Sequence, residues 1–267
     1  MTMKRTKVHM MAAREAPPIP LDEKYNPRSI DEFVGFASQR AILSNLMDKP
    51  YPSAWFLLGP SGLGKTSLAM AVASGIRGEL YHVPSQACDK DRVKKIVERV
   101  AYHPMNGGWH IVLVDEADQM SSPAQHSFLS VLDHTKRPAG AIFLFTANDT
   151  RMLEARFLSR CRLLKFDPAM IGKEEATLWL ERIWEKERGG SPPDFEQVWL
   201  RSGRNFRTCL NNLELLLLDP SYQLPPLQQT MAAAAGATAG AKPVDPMRRA
   251  AALKAWETMR RNRGESR

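Results

Sequence analysis

A glycine-rich octapeptide that contains a lysine and a threonine is the segment of this sequence best suited to bind phosphate. Residues 59–66 read GPSGLGKT and fit the pattern G-x-x-x-x-G-K-[ST]. They follow the apolar run 54–58 and precede a helix-like segment, so backbone N–H groups and a helix N-terminus can surround phosphate oxygens. The spacing predicts that Lys65 reaches the β- and γ-phosphates of a nucleotide and that Thr66 holds Mg²⁺. The predicted nucleotide contacts are Gly59, Gly62, Leu63, Gly64, Lys65, Thr66 and Ser67.

A chance glycine-rich turn is the alternative interpretation of this loop, and the strand before it and the helix after it argue against that. Two carboxylates, Asp115 and Glu116, follow a second apolar run at residues 110–114. Ligands bind at the carboxyl edge of a parallel sheet, where these two side chains would lie. Asp115 suits the Mg²⁺ ion together with Thr66, and Glu116 suits the deprotonation of an attacking water. A strand that leaves the core into a charged helix cap is the other interpretation.

Three further polar side chains could complete a site for phosphoanhydride hydrolysis. Asn148 follows the apolar run 141–146, and its amide can both donate and accept hydrogen bonds beside a γ-phosphate and a water. Arg160 precedes the run 162–166, and Arg207 opens a later helix. A guanidinium group at the γ-phosphate stabilises the charge of the transition state. Taken singly, Asn148 could be a turn residue and each arginine a surface residue.

Alternating apolar runs and helix-like segments must position these side chains. The apolar runs are 54–58, 80–83, 110–114, 141–146 and 162–166. The helix-like segments between them are 65–75, 89–103, 122–133 and 151–158. Nearly continuous apolar strands separated by helices predict an α/β fold, a five-stranded parallel sheet with helices on both faces. From residue 168 the pattern is helical only, and three helices over 168–220 predict a small all-α lid domain.

Charge and composition restrict the interpretation further. The 267 residues carry a net charge of +8, of which residues 1–28 carry +3 and residues 223–267 carry +5. We expect a flexible basic arm over 1–20 and a low-complexity basic tail over 221–267, either solubilising or in contact with nucleic acid. No apolar run reaches the ~18 residues of a membrane helix. Three widely spaced cysteines exclude a disulfide scaffold and a zinc ribbon and indicate a reducing compartment.

Taken in order, the motifs resemble the AAA+ ATPases of sliding-clamp loaders, namely the replication factor C small subunits, the bacterial DNA polymerase III gamma subunit and the phage clamp-loader ATPase. The phosphate loop and the acidic pair are general to nucleotide hydrolases. The more specific matches are KYNP at 24–27, IDEFVG at 30–35, TAN at 146–148, SRC at 159–161 and a lid Phe-Arg at 206–207. The resemblance covers roughly residues 21–218.

The resemblance implies a role for several of these residues. Lys24, Tyr25 and Val34 would line the adenine pocket. Asn148 would be the first sensor residue, beside the γ-phosphate. Arg160 would be an arginine finger that acts on ATP bound to a neighbouring subunit.

Two further roles follow from the same resemblance. Arg207 would be the second sensor residue, closing the lid on ATP in its own subunit. The helix-like segment 89–103 would follow DNA phosphates inside a spiral of subunits. A solvated charged face is the alternative for that segment. The four predicted DNA contacts are Lys90, Arg92, Lys94 and Lys95.

The resemblance predicts an ATP hydrolase subunit of a clamp loader, with its nucleotide-binding domain over 21–167 and ATP and Mg²⁺ as cofactors. Its partners would be a sliding clamp, primer–template DNA and other clamp-loader subunits. The assembly would be a homo- or hetero-oligomer, with a pentamer expected, and no membrane would take part. We expect the protein in the cytoplasm of a bacterial or phage-infected cell, or in the nucleus of a eukaryote.

The sequence departs from the family pattern in three places. Asn26 stands where the family has an arginine, and Leu129-Ser130 stand where it often has two basic residues. We expect the helical collar domain that follows the lid in clamp loaders to be absent after Pro220. Two alternatives stay open: another DNA-linked AAA+ motor, for branch migration or helicase loading, and a structural loader subunit that does not hydrolyse ATP.

Overall fold

A computed structural model describes residues 19–84, 88–104, 108–187 and 191–226. Most of the predicted arm (1–20) and most of the predicted tail (221–267) therefore lie outside the described residues. Among the described helices, none is long and apolar enough to cross a membrane.

Each of the five apolar runs forms a strand of one parallel sheet. The strands are β1 Ser53–Leu58, β2 Gly78–Pro84, β3 Trp109–Asp115, β4 Ala141–Ala147 and β5 Arg162–Lys165. Their order in the sheet is β2-β3-β4-β1-β5, and all four pairings are parallel. The register sets Leu58 beside Ala147 and Pro84 beside Asp115, so the polar residues that follow β1, β3 and β4 meet at one edge. The predicted fold class is confirmed.

Helices connect the strands and then continue without further strands in the described chain. They are α1 Leu21–Lys24, α2 Ala37–Asp48, α3 Lys65–Gly75, α4 Lys90–Val100, α5 Ser122–Leu132, α6 Ala155–Leu158, α7 Lys173–Glu187, α8 Phe195–Arg201 and α9 Phe206–Leu218. Side chains cap several N-termini: Asp89 accepts from the N–H of Arg92, and Asn205 accepts from the N–H of Thr208.

Two helix boundaries differ from the sequence prediction by more than one residue. The segment 151–158 is helical only from Ala155, because residues 151–154 form a turn and Glu154 stands in extended conformation at the cap. The segment 89–103 ends its helix at Val100 rather than at His103. Both differences shorten a predicted helix and leave the positions of the strands unchanged.

The sheet separates two buried apolar clusters, as its two covered faces require. On one face Phe56, Phe128, Phe145 and Phe157 pack edge to face, with ring centroids 5.1 Å apart for Phe145 and Phe157. Truncation of a fully buried phenylalanine to alanine costs about 3–5 kcal/mol, so this cluster contributes substantially to the stability of the sheet. The other face packs against α3 and the residues that follow β5.

The three helices after residue 172 share the second cluster with the sheet. Leu180, Trp199 and Leu213 are buried in the same cluster as Leu63 and Phe33, which lie beside the phosphate loop. The lid helices are therefore packed directly onto the segments that hold the loop. The division at residues 167 and 168 into two domains stays a prediction.

Candidate functional site

The glycine-rich loop 59–66 connects β1 to α3 at the carboxyl edge of the sheet. Gly62 and Gly64 adopt φ of +79° and +81°, a conformation that favours glycine. A Cβ on Gly59 would lie 2.1 Å from the carbonyl oxygen of Phe166, so that position also requires glycine. The loop thus brings its backbone N–H groups around the start of α3, where an anion is favoured.

Lys65 is the first residue of α3 and its side chain is 7% exposed. Its Nζ donates to the carbonyl of Pro60 at 2.8 Å and to Oδ1 of Asn148 at 3.2 Å. Burial lowers the pKa of Lys65 to about 8, although the nearby carboxylates of Asp118 and Asp115 oppose that shift. The ammonium group is therefore held at the loop. Phosphate oxygens can replace the carbonyl of Pro60 and the side-chain oxygen of Asn148 as its hydrogen-bond acceptors.

Thr66 and Asp115 lie together, as the sequence predicts for a metal site. The hydroxyl of Thr66 donates to Oδ1 of Asp115 at 2.6 Å, and the hydroxyl of Thr146 donates to the same oxygen. One hydroxyl and one carboxylate at a phosphate loop are oxygen donors of the kind that Mg²⁺ prefers. Asp118 offers a buried carboxylate oxygen that has no partner among the described residues. The donor set fits Mg²⁺.

Thr146 was not recognised in the sequence as a functional residue. Its hydroxyl donates to Asp115 and accepts from the backbone N–H of Glu116 at 3.1 Å, so it ties both carboxylate positions to β4. The available signal was a single hydroxyl within the otherwise apolar strand Ala141–Ala147, 2% exposed. A buried hydroxyl needs partners, and here the partners are site residues.

Glu116 is exposed at the edge of the sheet, directly after β3. It has φ of +53°, a conformation that is rare for residues other than glycine and that turns the chain away from the strand. One oxygen of its carboxylate accepts from the side-chain amide of Gln119 at 2.9 Å. Asn148 is exposed at the same edge, at the end of the neighbouring strand. Both side chains therefore lie at the edge of the sheet that carries the glycine-rich loop, and Asn148 contacts Lys65 there.

A cavity of about 380 Å³ lies beside the loop and is lined by three parts of the chain. The predicted residues Tyr25 and Val34 contribute from the N-terminal segment. From the loop and α3 come Gly62, Leu63, Gly64 and Ser67. From the lid helices come Arg207, as predicted, and Phe206, its neighbour in the Phe-Arg motif. Trp179 and Leu210 also line the cavity, and sequence reasoning missed both. No local motif indicated those two, because their positions depend on how the lid packs.

Lys24 stands beside this cavity rather than in its lining. Its ammonium forms an ion pair of 2.7 Å with Glu187, and the hydroxyl of Tyr25 donates to the same carboxylate. Burial and the charge of Glu187 raise the pKa of Tyr25. The backbone N–H of Gly35 donates to Glu175 at 2.8 Å. Residues 24–35 are therefore tied to α7 near both ends of that helix.

Asn205 and Asn26 connect the loop to its surroundings. The side-chain amide of Asn205 donates to the carbonyl of Ser61 at 2.7 Å, while its oxygen caps α9. Asn26 accepts from the hydroxyl of Ser67 at 2.6 Å, so the residue that departs from the family pattern contacts α3 beside the cavity. Both contacts join segments that are remote in sequence.

Arg160 is placed apart from the cavity, which Arg207 lines. Its guanidinium donates to the carbonyl of Arg156 at 2.7 Å and lies 3.6 Å from a carboxylate oxygen of Asp133. Its side chain is 33% exposed. The structure therefore brings Arg207 to the cavity beside the loop and does not bring Arg160 there.

The four predicted DNA contacts are all exposed on α4. They lie opposite Val93, Ile96 and Val100, which are buried. Lys94 approaches Glu98 at 3.9 Å, and Asp89 caps the helix. Both groups are exposed, so they screen the basic face only weakly. The solvent-facing residues in question are Lys90, Arg92, Lys94 and Lys95.

Comparison with known proteins agrees with this geometry. Residues 55–167 match the family described as ATPase family associated with various cellular activities (AAA). The chain is 28% identical over 206 residues to replication factor C subunit 3 of Blastobotrys adeninivorans, covering 73% of this chain and 60% of that protein. It is 29% identical over 218 residues to the replication factor C small subunit of Archaeoglobus fulgidus, covering 76% and 67% respectively. The chain thus spans about 60–67% of the length of these relatives.

Among solved structures, the Thermotoga maritima RuvB Holliday junction branch migration motor is similar in fold. The TM-score is 0.59 at 18% sequence identity, over 75% of this chain and 69% of that one. This likeness concerns the fold alone, whereas the likeness to replication factor C is in sequence. Residues 55–167 therefore match the AAA family, and the chain is similar in sequence to replication factor C subunits.

Proposed function

We propose that this chain hydrolyses ATP as a subunit of a sliding-clamp loader. The observation that carries the hydrolysis is the cluster at the carboxyl edge of the sheet. There Lys65 donates to Asn148 at 3.2 Å and Thr66 donates to Asp115 at 2.6 Å. Glu116 directly follows Asp115. A subunit that only bound ATP would have no chemical need for all five groups.

In the proposed reaction the loop and Lys65 hold the phosphates, and the cavity takes the base. Glu116 accepts a proton from the water as the water oxygen attacks the γ-phosphorus, and the β–γ bridging bond breaks to give ADP and inorganic phosphate. Asn148 orients that water. Mg²⁺ held by Thr66 and Asp115 would neutralise charge that develops on the phosphate oxygens.

The in-trans step is proposed for Arg160. It lies away from the chain's own cavity, so its guanidinium would meet the γ-phosphate of a nucleotide on an adjacent subunit. Arg207 lines the cavity of its own chain, and it would close the lid on the ATP bound there. ATP binding would then stabilise a spiral of subunits, and hydrolysis would loosen it.

Clamp loading itself is proposed from the relatives. Proteins named replication factor C small subunits match 72–76% of this chain. The solvent-exposed surface of α4 is suitable for contact with DNA phosphates, because it carries four exposed cations within six residues of one helix. The predicted partners are a ring clamp, a primer–template junction and other loader subunits.

Steady-state ATPase assays of the purified chain test this proposal, with primer–template DNA, single-stranded DNA and blunt duplex compared at two salt concentrations. We expect the strongest stimulation from the primer–template junction, and a further increase when a clamp and partner subunits are added. Equal stimulation by all three DNAs would favour a general DNA-linked motor.

A paired set of variants separates the parts of the proposal. Glu116→Gln should retain nucleotide binding and lose turnover. Lys94→Gln combined with Lys95→Gln should retain basal turnover and lose stimulation by DNA, with a weaker salt dependence of binding. If the α4 variants were stimulated like the wild type, DNA contact by α4 would be wrong, while the hydrolysis proposal would stand.

A further inference from the structure

Arg137 lies between α5 and β4, and its guanidinium donates to three backbone carbonyls from separate parts of the chain. Its Nη2 lies 2.6 Å from the oxygen of Leu132, at the end of α5, and 3.4 Å from the oxygen of Arg160. Its Nη1 lies 3.4 Å from the oxygen of Pro52, just before β1. One side chain therefore joins the end of a helix, the start of a central strand and the segment that carries Arg160.

The side chain of Arg160 is tied to the same helix end. Its Nη2 lies 3.6 Å from Oδ2 of Asp133, the residue that follows α5. The other oxygen of Asp133 accepts from the N–H and the hydroxyl of Thr135, which fixes the carboxylate. Both the backbone and the side chain of Arg160 are thus anchored to the end of α5. The start of α5 lies only a short turn after Glu116.

This arrangement has a cost that packing alone does not explain. The Nε atoms of Arg137 and Arg160 are buried with no hydrogen-bond partner among the described residues. Burial lowers the pKa of Arg137, and the nearby positive charge of Arg162 adds to that effect. Buried donors without partners are unfavourable, and in native proteins they need a reason. A requirement for one fixed orientation of residues 159–161 would be such a reason.

We propose that Arg137 is a positioning residue, which fixes residues 159–161 against the end of α5 so that Arg160 is presented to the nucleotide of a neighbouring subunit. The inference rests on the proposed in-trans role of Arg160. A planar guanidinium with five donors can hold several carbonyls in fixed directions, whereas the ammonium of lysine is a point charge with flexible geometry. The planar group therefore matters as well as its charge.

Cys161 reports on this segment within a single chain. It adjoins Arg160, and its Sγ lies 3.6 Å from the oxygen of Phe157. Burial raises the pKa of its thiol to about 12, and the charge of Arg137 opposes that rise. If Arg137 acted only through its charge, its removal would leave less thiolate and slow alkylation. If Arg137 holds the segment, its removal exposes the thiol and accelerates alkylation.

The experiment measures iodoacetamide alkylation of each cysteine at pH 8, by mass spectrometry of the full chain. The variants are Arg137→Gln, which keeps hydrogen-bond donors, and Arg137→Lys, which keeps the charge. Arg182→Gln, an exposed arginine on α7, is the matched control. We expect alkylation of Cys161 to rise at least tenfold in Arg137→Gln and less in Arg137→Lys, with Arg182→Gln like the wild type.

Cys88 and Cys209 are buried elsewhere and serve as internal references. An unchanged or slower reaction of Cys161 in Arg137→Gln would overturn the proposal. Equal acceleration at all three cysteines would also overturn it, because Arg137 would then be a general stabilising residue.

Turnover provides the second readout. We expect Arg137→Gln to bind ATP with unchanged affinity and to lower kcat at least tenfold with little change in KM. In the Arg160→Ala background, Arg137→Gln should cause no further loss, since it acts through Arg160. A further tenfold loss there would contradict a positioning role. If Arg160→Ala itself kept full turnover, the in-trans proposal would fail, while the Cys161 rates would still decide whether Arg137 holds the segment.

Discussion

Two arginines that sequence reasoning assigned to one reaction occupy different parts of this molecule. Arg207 opens α9, lines the nucleotide cavity and donates its backbone N–H to the loop carbonyl of Gly62 at 3.4 Å. Arg160 follows α6, and its side chain is anchored to Asp133, just after α5, and to the carbonyl of Arg156. The first belongs to a site that one chain assembles alone. Arg160 is held by these contacts, and it does not line the cavity of its own chain.

The difference shows how a fold can separate binding from catalysis. The groups proposed to bind the nucleotide lie at the carboxyl edge of the sheet, in the lid helices and in the N-terminal segment beside the cavity. The group proposed to complete the transition state is presented elsewhere by a network of backbone carbonyls. Substitutions in the first region should therefore change what one chain does by itself, and substitutions in the second should change only what an assembly does.

The largest effect should come from Arg160→Ala. Loss of an arginine that contacts transition-state charge lowers turnover by about 10³-fold or more. ATP binding should be unchanged, because the side chain does not line the cavity. Binding is measured with a fluorescent ATP analogue and turnover by phosphate release. Arg151→Ala, which removes an exposed arginine that pairs with Asp149, is the matched control.

Mixing variants sharpens this prediction. Arg160→Ala subunits have an intact site but no finger, and Glu116→Gln subunits have a finger but no general base. A mixture should regain part of the wild-type activity if the finger acts between subunits. A marked loss of ATP affinity in Arg160→Ala alone would instead place Arg160 at its own chain's site. The proposed difference between Arg160 and Arg207 would then be wrong.

Glu116→Gln should have the next largest effect. Loss of a general base costs about 10²–10⁴-fold in rate, and the amide keeps the size of the side chain and its contact with Gln119. Nucleotide affinity should stay within a factor of about three, since Glu116 does not line the cavity. Single-turnover hydrolysis measures the rate. Retention of more than about a tenth of the rate would assign the base elsewhere.

Much of the phosphate-binding region could be predicted from sequence because its signals are local. The five apolar runs form the five strands, Gly62 and Gly64 of the loop stand where φ is positive, and α3 spans Lys65–Gly75 as expected. The position of Asp115 followed from the parallel sheet alone. Local sequence patterns were sufficient there, because each strand positions the polar residues that directly follow it.

The contacts that join distant segments could not be predicted in the same way. Asn205 is recognisable as a helix cap, but its bond to Ser61 depends on the packing of the lid. Arg137 stands in a polar turn with no pattern, and its three carbonyl partners lie 5 to 85 residues away in sequence. Such contacts follow from the tertiary fold, which local periodicity does not specify.

Lys65 provides a smaller, pH-dependent test of the region that acts alone. Burial lowers its pKa to about 8, so above that pH the free protein loses the charge that binds phosphate. ATP affinity should fall by up to about tenfold per pH unit between pH 8 and 10, whereas an ordinary lysine would remain charged to about pH 10. Isothermal titration calorimetry measures the affinity. Lys65→Met should bind ATP weakly and show no decline over this range.

The same shift changes folding stability in the opposite direction. The folded chain holds this proton less tightly than the unfolded chain, so unfolding takes up a proton between about pH 8 and pH 10.4. The contribution of Lys65 to the free energy of unfolding should therefore rise with pH across that window. Urea denaturation of the wild type and Lys65→Met reports the difference. A difference that is flat with pH would contradict the lowered pKa.

The smallest effect should come from Thr146→Val, which keeps the shape of the side chain and removes one hydroxyl. The Glu116 N–H and the Asp115 carboxylate each lose a partner, and a lost hydrogen bond of this kind is worth about 1 kcal/mol, or roughly fivefold. The Mg²⁺ concentration for half-maximal ATPase should rise by about that factor, and Thr146→Ser, which restores the hydroxyl, should reverse most of the change. Because the hydroxyl links the metal-binding carboxylate to the proposed general base, the effect should be present in a single chain and independent of Arg160. Identical Mg²⁺ dependence of the valine and serine variants would mean that the two carboxylates are positioned by the backbone alone.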